Sequence, residues 1–328
     1  MEQAKLNKII EQARLDRSTS LDLRDRRIAS LPESIGNLVN LIYLYLEGNQ
    51  LTNLPESIGN LVDLSHLGLG LNHLTSLPKS IGNLVNLTYL DLRESQLTSL
   101  PESIGNFVNL TDLNLEGNQL ASVPESIGNL VNLDHLNLGK NQLTSLPKNI
   151  SNLVNLTYLK LWENQLTSLP ESIGSLVNLT RLDLRDNKLT SLPESIANLV
   201  NLYYLNPGDN QLTSLPESIG NLVSLDYLNL GRNQLKILPD SIGNLSNLQS
   251  IQLCDTLEDL SILQDLPSLK AEEDLPGLLQ GSRSFQAVNF MNVELPRRYW
   301  TKLSEWKSEW LLDENNAEVR RALIAQIG

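Results

Sequence analysis

The chain has 328 residues, and 25 Lys and Arg against 38 Asp and Glu give it a net charge of −13. No basic run interrupts this acidity, so the composition argues against nucleic acid as a partner. One cysteine, Cys254, excludes an intramolecular disulfide. No segment has the ~18 apolar residues of a membrane-spanning helix, so we expect no membrane association.

Residues 1–17 predict an N-terminal helical cap. Leu6, Ile9, Ile10 and Ala13 recur at helical spacing, which places them on one face. The segment is charged throughout and lacks the apolar stretch of a secretory signal. Together with the absence of a disulfide framework, this predicts a cytoplasmic location.

Residues 18–258 form a repeat array. The same pattern recurs every 23 residues, and its phase can be followed from Leu41 to Leu248. With a degenerate first copy at Ser18, the array has eleven units. A fixed period of this length is typical of a solenoid, in which each unit packs only on its neighbours.

Each unit divides into two halves. The first half, as in LTYLKLWENQL from Leu156, alternates like a strand, so successive units predict a parallel sheet. The second half begins near a proline and predicts a short 3₁₀ or α-helical turn on the outer side. We expect the glycine of this half, such as Gly174, to let the chain turn back.

An asparagine follows each strand in eight units. Its amide can satisfy backbone groups of its own and the neighbouring unit, so the sequence predicts a buried asparagine ladder. Ser95 interrupts the series, and we expect it to keep one such bond. The ladder residues are Asn49, Asn72, Asn118, Asn141, Asn164, Asn187, Asn210 and Asn233.

The unit LxxLxLxxNxLxxLPxxIxxLxN resembles the leucine-rich repeat of the intracellular 23-residue class. It is similar to repeats in plant intracellular Ras-group-like proteins, Ras-pathway scaffolds and Roco-type proteins. The resemblance covers residues 18–258. It implies an α/β solenoid, a curved horseshoe with a parallel β-sheet on the concave face, short 3₁₀/α segments on the convex face and helical caps. It also implies that macromolecules bind on the concave sheet.

Residues 259–328 leave the period. A leucine-rich stretch predicts a C-terminal cap, and Trp300, Leu303, Trp306 and Trp310 predict a helical tail. The tail weakly resembles segments that follow repeats in bacterial proteins, which suggests a bacterial origin. Its pattern still runs at Gly328, so we expect a truncated chain or missing partner elements.

The sequence shows no catalytic constellation, so we predict a non-enzymatic protein. It has no GxxxxGK[ST] phosphate loop, and Gly139-Lys140-Asn141 lacks the rest of that motif. His66, His73 and His135 do not have metal-ligand spacing, so we expect neither a metal nor a cofactor.

The outward face of the strands is the candidate binding site. Tyr, Trp and Arg, which dominate protein interfaces, concentrate there, although tyrosines also simply suit an exposed β surface. We expect a protein partner of unknown identity and a monomeric chain. The predicted partner-binding residues are Tyr43, Tyr45, His66, Tyr89, Arg93, Glu116, His135, Tyr158, Lys160, Trp162, Arg181, Arg185, Tyr204 and Tyr227.

Two units depart from the pattern on this face. Gly68 and Gly70 should leave the surface bare beside an exposed Leu71. Pro207 stands where a core leucine belongs, and it predicts a local break or bulge in its strand.

Three functions remain open. The first is a non-enzymatic protein-protein interaction module, such as a signalling scaffold. The second is the sensor or recognition arm of a larger signalling protein. The third is a ligase-type enzyme with its activity in the tail, which lacks the catalytic cysteine that such ligases need.

Overall fold

The structure, a computed structural model, describes residues 1–253 and the backbone of 293–294. The predicted C-terminal cap and helical tail, and Cys254, lie outside these residues. The chain divides into two compact units, Met1–Leu182 and Asp183–Gly328, and each is considered by itself.

The first unit opens with helix α1, Gln3–Leu15. Leu6, Ile10 and Ala13 are buried, whereas Ile9 is half-buried. The helix contacts the turn Glu33–Asn37 of the first repeat. The predicted helix is confirmed, and its role as a cap stays a prediction.

Short strands recur at the repeat period. Each of the first eleven spans three residues and buries its central leucine or isoleucine. The strands are β1 Ser20–Asp22, β2 Tyr43–Tyr45, β3 His66–Gly68, β4 Tyr89–Asp91, β5 Asp112–Asn114, β6 His135–Asn137, β7 Tyr158–Lys160, β8 Arg181–Asp183, β9 Tyr204–Asn206, β10 Tyr227–Asn229, β11 Ser250–Gln252 and β12 Val293–Glu294.

All described strand pairs are parallel. In the first unit, β1 to β7 pair in sequence order, each residue facing the residue one period later, as Leu44 faces Leu67. In the second unit, β9 to β12 pair in sequence order. The predicted leucine-rich solenoid with a parallel sheet is therefore confirmed.

The second half of each of the first ten repeats is a five-residue 3₁₀ helix. A proline with φ between −65° and −76° precedes each one, and its carbonyl accepts the first bond of the turn, as Pro55 O does from Ile58 N at 3.0 Å. The turns are Glu33–Asn37, Glu56–Asn60, Lys79–Asn83, Glu102–Asn106, Glu125–Asn129, Lys148–Asn152, Glu171–Ser175, Glu194–Asn198, Glu217–Asn221 and Asp240–Asn244.

The glycine in these turns serves packing, which corrects the expectation that it reverses the chain. A Cβ on Gly59 would meet the carbonyl oxygen of Ser80 and lie 2.7 Å from its Cβ. Gly105 meets the next turn in the same way, at 2.6 Å from Ser126 O. Glycine is therefore favoured because consecutive turns stack almost in backbone contact, although Ser151 and Ala197 hold this position in two turns.

The predicted asparagine ladder is confirmed. Asn118, which is 7% exposed, donates from Nδ2 to Leu92 O at 2.9 Å and to Leu115 O at 3.0 Å. Its Oδ1 accepts from Leu97 N at 3.0 Å. One amide thus joins two neighbouring units through backbone groups that would otherwise be buried without partners.

Ser95 does not keep the bond expected of it. It is 8% exposed, and within the described part of the chain its Oγ has no hydrogen-bond partner. The serine side chain is one bond shorter than that of Asn, so the ladder is interrupted at this unit.

A second asparagine ladder on the outer side went unpredicted. Asn86 Nδ2 donates to Val62 O at 2.9 Å, one unit earlier, and Asn155 donates to Val131 O at 2.8 Å. Asp63 occupies the same repeat position in the second repeat. The signal was present in the sequence as the final Asn of each LVN triplet.

Pro207 produces a smaller disturbance than predicted. The β9–β10 pairing covers two residue pairs, whereas β10–β11 and the pairings from β1 to β7 each cover three. Asp209 N still donates to Gly231 O at 2.9 Å, so the register continues without an extra residue. The missing proline N–H removes one ladder bond, so of the predicted break or bulge the strand shows a local break and no bulge.

Candidate partner-binding face

In each of the first ten repeats, three residues around the strand alternate with the buried core residues and lie on the side of the sheet opposite to them. We call this surface the open face. Eleven of the predicted partner-binding residues lie on the open face of the first unit. Arg185, Tyr204 and Tyr227 lie on that of the second.

An aromatic row crosses β2, β3 and β4. The Tyr43 and His66 ring centroids are 4.8 Å apart, and those of His66 and Tyr89 are 5.9 Å apart. Tyr45 stacks beside Tyr43 at 6.5 Å. Because parallel register repeats one position on every strand, residues 23 apart in the sequence become ring neighbours.

Gly68 and Gly70, the two glycines of the third repeat, lie beside this row. A Cβ on Gly68 would meet the Glu47 carboxyl, and one on Gly70 would lie 3.0 Å from Asp91 Oδ2. We call the surface formed by Glu47, His66, Gly68, Gly70 and Asp91 the glycine notch. Its floor is backbone and its walls are carboxylates, so the expectation of a bare surface is wrong.

Burial perturbs the acids of the notch. Desolvation raises the pKa of Glu47 and the pKa of Asp91, which is 2% exposed. Asp91 Oδ1 accepts from Arg93 N at 3.0 Å, and its Oδ2 lies 3.4 Å from Arg93 Nε. These two contacts lower the pKa of Asp91, but burial raises it by more.

Arg24 borders the notch but is engaged elsewhere. Its Nη2 donates to Asp22 Oδ2 at 2.6 Å, and this side-chain hydrogen bonding lowers the pKa of Asp22 to about 2. Its guanidinium carbon lies 5.0 Å from the centre of the Tyr45 ring. Arg24 therefore acts on Glu47 through its charge and does not hydrogen-bond to it.

Polar contacts dominate the middle of the first unit. His135 Nδ1 lies 3.1 Å from Asp112 Oδ1 and 3.4 Å from Asp134 Oδ2. Glu116 Oε2 accepts from Asn137 Nδ2 at 2.7 Å. His135 and Glu116 are therefore held by neighbours.

Trp162 lies across the preceding repeat. A Cβ on Gly139 would meet the indole nitrogen, and Lys140 Nζ sits 5.0 Å from the ring centroid. Beside it, Lys160 Nζ and Arg181 Cζ lie 5.2 Å and 5.5 Å from the Tyr158 ring. The structure thus brings together Tyr158, Lys160 and Arg181, while Trp162 packs against Gly139 and Lys140.

The second unit carries its own aromatic pair. The Tyr204 and Tyr227 rings stack at 4.7 Å with an interplanar angle of 5°. Asn206 Nδ2 donates to the Tyr204 hydroxyl at 3.1 Å. Arg185 Nε lies 3.5 Å from Asp183 Oδ2. Pro207 directly follows this strand, so its missing ladder bond lies next to the stacked pair.

Sequence reasoning missed Glu47, Asp91 and Lys140 as candidate residues. The 23-residue register places Asp91 beside Gly68 and Glu47 beside Gly70, so the pairing could have been found by aligning the units. The direction in which the Glu47 side chain points could not have been found by this alignment, because a rotamer depends on the space around it.

Neither a metal cluster nor a membrane-spanning helix occurs in the part of the chain that the structure describes. Across residues 1–253, no cluster of three or more His, Cys, Asp or Glu side chains could hold a metal ion. In the same part of the chain, no helix is long and apolar enough to cross a membrane.

Comparison with known families shows the repeat throughout the array. The model "Leucine-rich repeat region" matches residues 56–146 and 140–225, and "Leucine Rich Repeat" matches 40–61 and 224–245. A comparison with curated proteins found no match.

Three solved structures illustrate the similarity. The leucine-rich repeat protein LIC12759 of Leptospira interrogans is 33% identical, over 74% of this chain and 80% of that one, with a TM-score of 0.45. The plant peptide hormone receptor RGFR1, solved with RGF2, is 36% identical over 69% of this chain and 38% of its own, with a TM-score of 0.63. InlJ of Listeria monocytogenes is 25% identical over 78% and 52%, with a TM-score of 0.66.

The family matches span residues 56–225 almost without interruption, over more than half of the chain. They coincide with the strands, 3₁₀ turns and asparagine ladder described above. The chain is a member of the leucine-rich repeat family.

Proposed function

We propose that this chain binds a protein partner on the open face of its strands. The observation that carries the proposal is the distribution of aromatic and cationic side chains. In the repeats, Tyr43, Tyr89, Tyr158, Trp162 and Tyr204 lie on or beside the strands, whereas the ten described 3₁₀ turns carry no aromatic residue and only two lysines, Lys79 and Lys148. Leucine-rich repeats are protein-interaction modules, and RGFR1 was solved with the peptide hormone RGF2 bound.

Rigidity supports this role. The side chains on the open face stand on strands tied by ladder bonds and buried asparagines, as at Asn141 and Asn164. A surface that is already ordered loses little entropy on binding, so a few aromatic and Arg anchors suffice. The net charge of −13 favours a protein over a nucleic acid.

Trp162 is the first residue to test. Affinity capture from a native lysate should recover a partner with the wild-type chain and lose most of it with Trp162→Ala. Val154→Ala is the matched control, since Val154 lies on the outer side of the preceding repeat and is 46% exposed. Circular dichroism should show both variants folded.

Tyr204→Ala tests the second unit separately, because Tyr204 and Trp162 belong to different compact units. Equal capture by wild type, Trp162→Ala and Tyr204→Ala, with all three folded, would show that the partner does not use the open face.

A further inference from the structure

The glycine notch carries polar groups that the fold leaves unsatisfied. Among the described residues, Glu47 Oε2 and His66 Nδ1 are buried side-chain atoms without a hydrogen-bond partner. Buried polar atoms are normally paired, so two unpaired atoms on one patch indicate a missing donor. A carboxylate oxygen can only accept a hydrogen bond, so that donor is an N–H or O–H group.

The surroundings select the charge of the donor. The open-face positions of β2 to β5 carry the carboxylates of Glu47, Asp91, Asp112 and Glu116 against the single cation Arg93. The aromatic row Tyr43–His66–Tyr89 borders the same patch, and aromatic faces attract cations.

The space is small. Gly68 and Gly70 have no side chains, and both are buried, because the Glu47 carboxyl lies above Gly68 and the Asp91 carboxylate and the Arg93 stem lie beside Gly70. A slender side chain tipped with N–H donors can reach between two such carboxylates.

We propose that the glycine notch holds a Lys or Arg side chain of the protein partner. The cationic head lies between the carboxylates of Glu47 and Asp91, and its stem lies along the aromatic row. This inference rests on the proposed function and adds to it the chemistry of the partner, a segment that presents a basic residue.

Two short peptides test the notch without knowledge of the partner. Acetylated Ala-Arg-Ala-Arg-Ala amide should bind the full chain in calorimetric or NMR titrations, whereas the Ala-Glu-Ala-Glu-Ala peptide should not. Glu47→Gln and Asp91→Asn should each weaken the basic peptide at least about tenfold, because one wall of the site loses its charge.

The matched control is Asp63→Asn, which changes the net charge equally on the outer side and introduces the residue that neighbouring units use there. It should leave peptide affinity unchanged. Gly68→Ala, which fills the notch without altering charge, should also weaken binding.

The proposal is overturned if the basic peptide does not bind, or if it binds wild type, Glu47→Gln and Asp91→Asn equally. Equal weakening by Asp63→Asn would also overturn it, since the acidity of the whole chain would then explain the attraction. If the chain captures its partner through Trp162 but does not bind these peptides, the proposed function stands and only this inference is wrong.

Discussion

Single residues decide how well each repeat joins the next. The buried asparagines satisfy backbone groups of two units, and the 8% exposed Ser95 shows what happens when the amide is absent, since its Oγ is unpaired. The Asn pattern predicted the ladder. The failure at Ser95 depended on the actual distance that a shorter side chain must span.

Ser95→Asn should complete the ladder. The new amide would take the place that Asn72 and Asn118 hold in the adjacent units, and we expect the free energy of unfolding to rise by about 1–3 kcal/mol. Urea denaturation measures this, with Ser99→Asn at an exposed position as the control. An unchanged midpoint for Ser95→Asn would mean that the ladder amide contributes nothing at this unit.

Asp91→Asn should stabilise the chain at neutral pH. Asn114 and Asn137 hold the same repeat position and accept the same backbone bond, at 3.1 Å from Glu116 N and from Gly139 N. Burial raises the pKa of Asp91, so its charged form is disfavoured in the folded state.

The sign of the pH dependence follows. The cost of the buried charge is present above the raised pKa of folded Asp91 and disappears below the unfolded value of about 3.9. The higher melting temperature of Asp91→Asn should therefore shrink as pH falls through that window. A variant that melts below wild type at pH 7 would show that the ion pair with Arg93 outweighs burial.

At the scale of the element, the turn after each strand holds a feature that the sequence did not reveal. In each of the first ten repeats the same position has φ between 48° and 71°, the left-handed region, and the first repeat adds Arg27 at 54°. Glycine holds this position only at Gly48 and Gly117, while Leu71, Glu94 and Glu163 adopt it elsewhere. Neighbour stacking imposes a conformation that these residues disfavour, so local propensity could not predict it.

Pro207→Leu should repair the strand that Pro207 interrupts. Leucine would fill the core position that Leu230 fills one unit later, and its N–H would restore a bond of the kind that Leu230 N makes to Gln252 O at 2.7 Å. We expect a gain on the order of 1 kcal/mol in the free energy of unfolding, after the loss of proline's rigidity in the unfolded chain.

Chemical denaturation checks this, and Pro216→Leu is the control. Pro216 precedes a 3₁₀ turn with φ of −65°, so its replacement should lower stability. If Pro207→Leu also lowered the free energy of unfolding, proline would be a better core residue than leucine at position 207.

At the scale of the whole molecule, stability should follow the phase of the repeat. Removing residues 110–132 deletes one complete period of 23, including β5 and one 3₁₀ turn, and joins Asn109 to Leu133 in register. Because a solenoid unit contacts only its neighbours, we expect a folded protein that melts within about 5 °C of the parent.

Removing 110–120 instead shifts every later strand out of phase, and the thermal transition should broaden or vanish. Circular dichroism melting compares the two deletions. If both fold equally well, the packing does not depend on the period.

By itself, the sequence determined the leucine-rich repeat class, the phase of every described strand within the repeats, the 3₁₀ turns and the inner asparagine ladder. It could do so because a period of 23 fixes which side chains face the core in each copy. Only the tertiary structure decided that Glu47 lies over Gly68, that Trp162 lies across Gly139 and that Ser95 is unpaired. These outcomes depend on how far side chains reach between adjacent strands, and a pattern within one strand does not encode that distance.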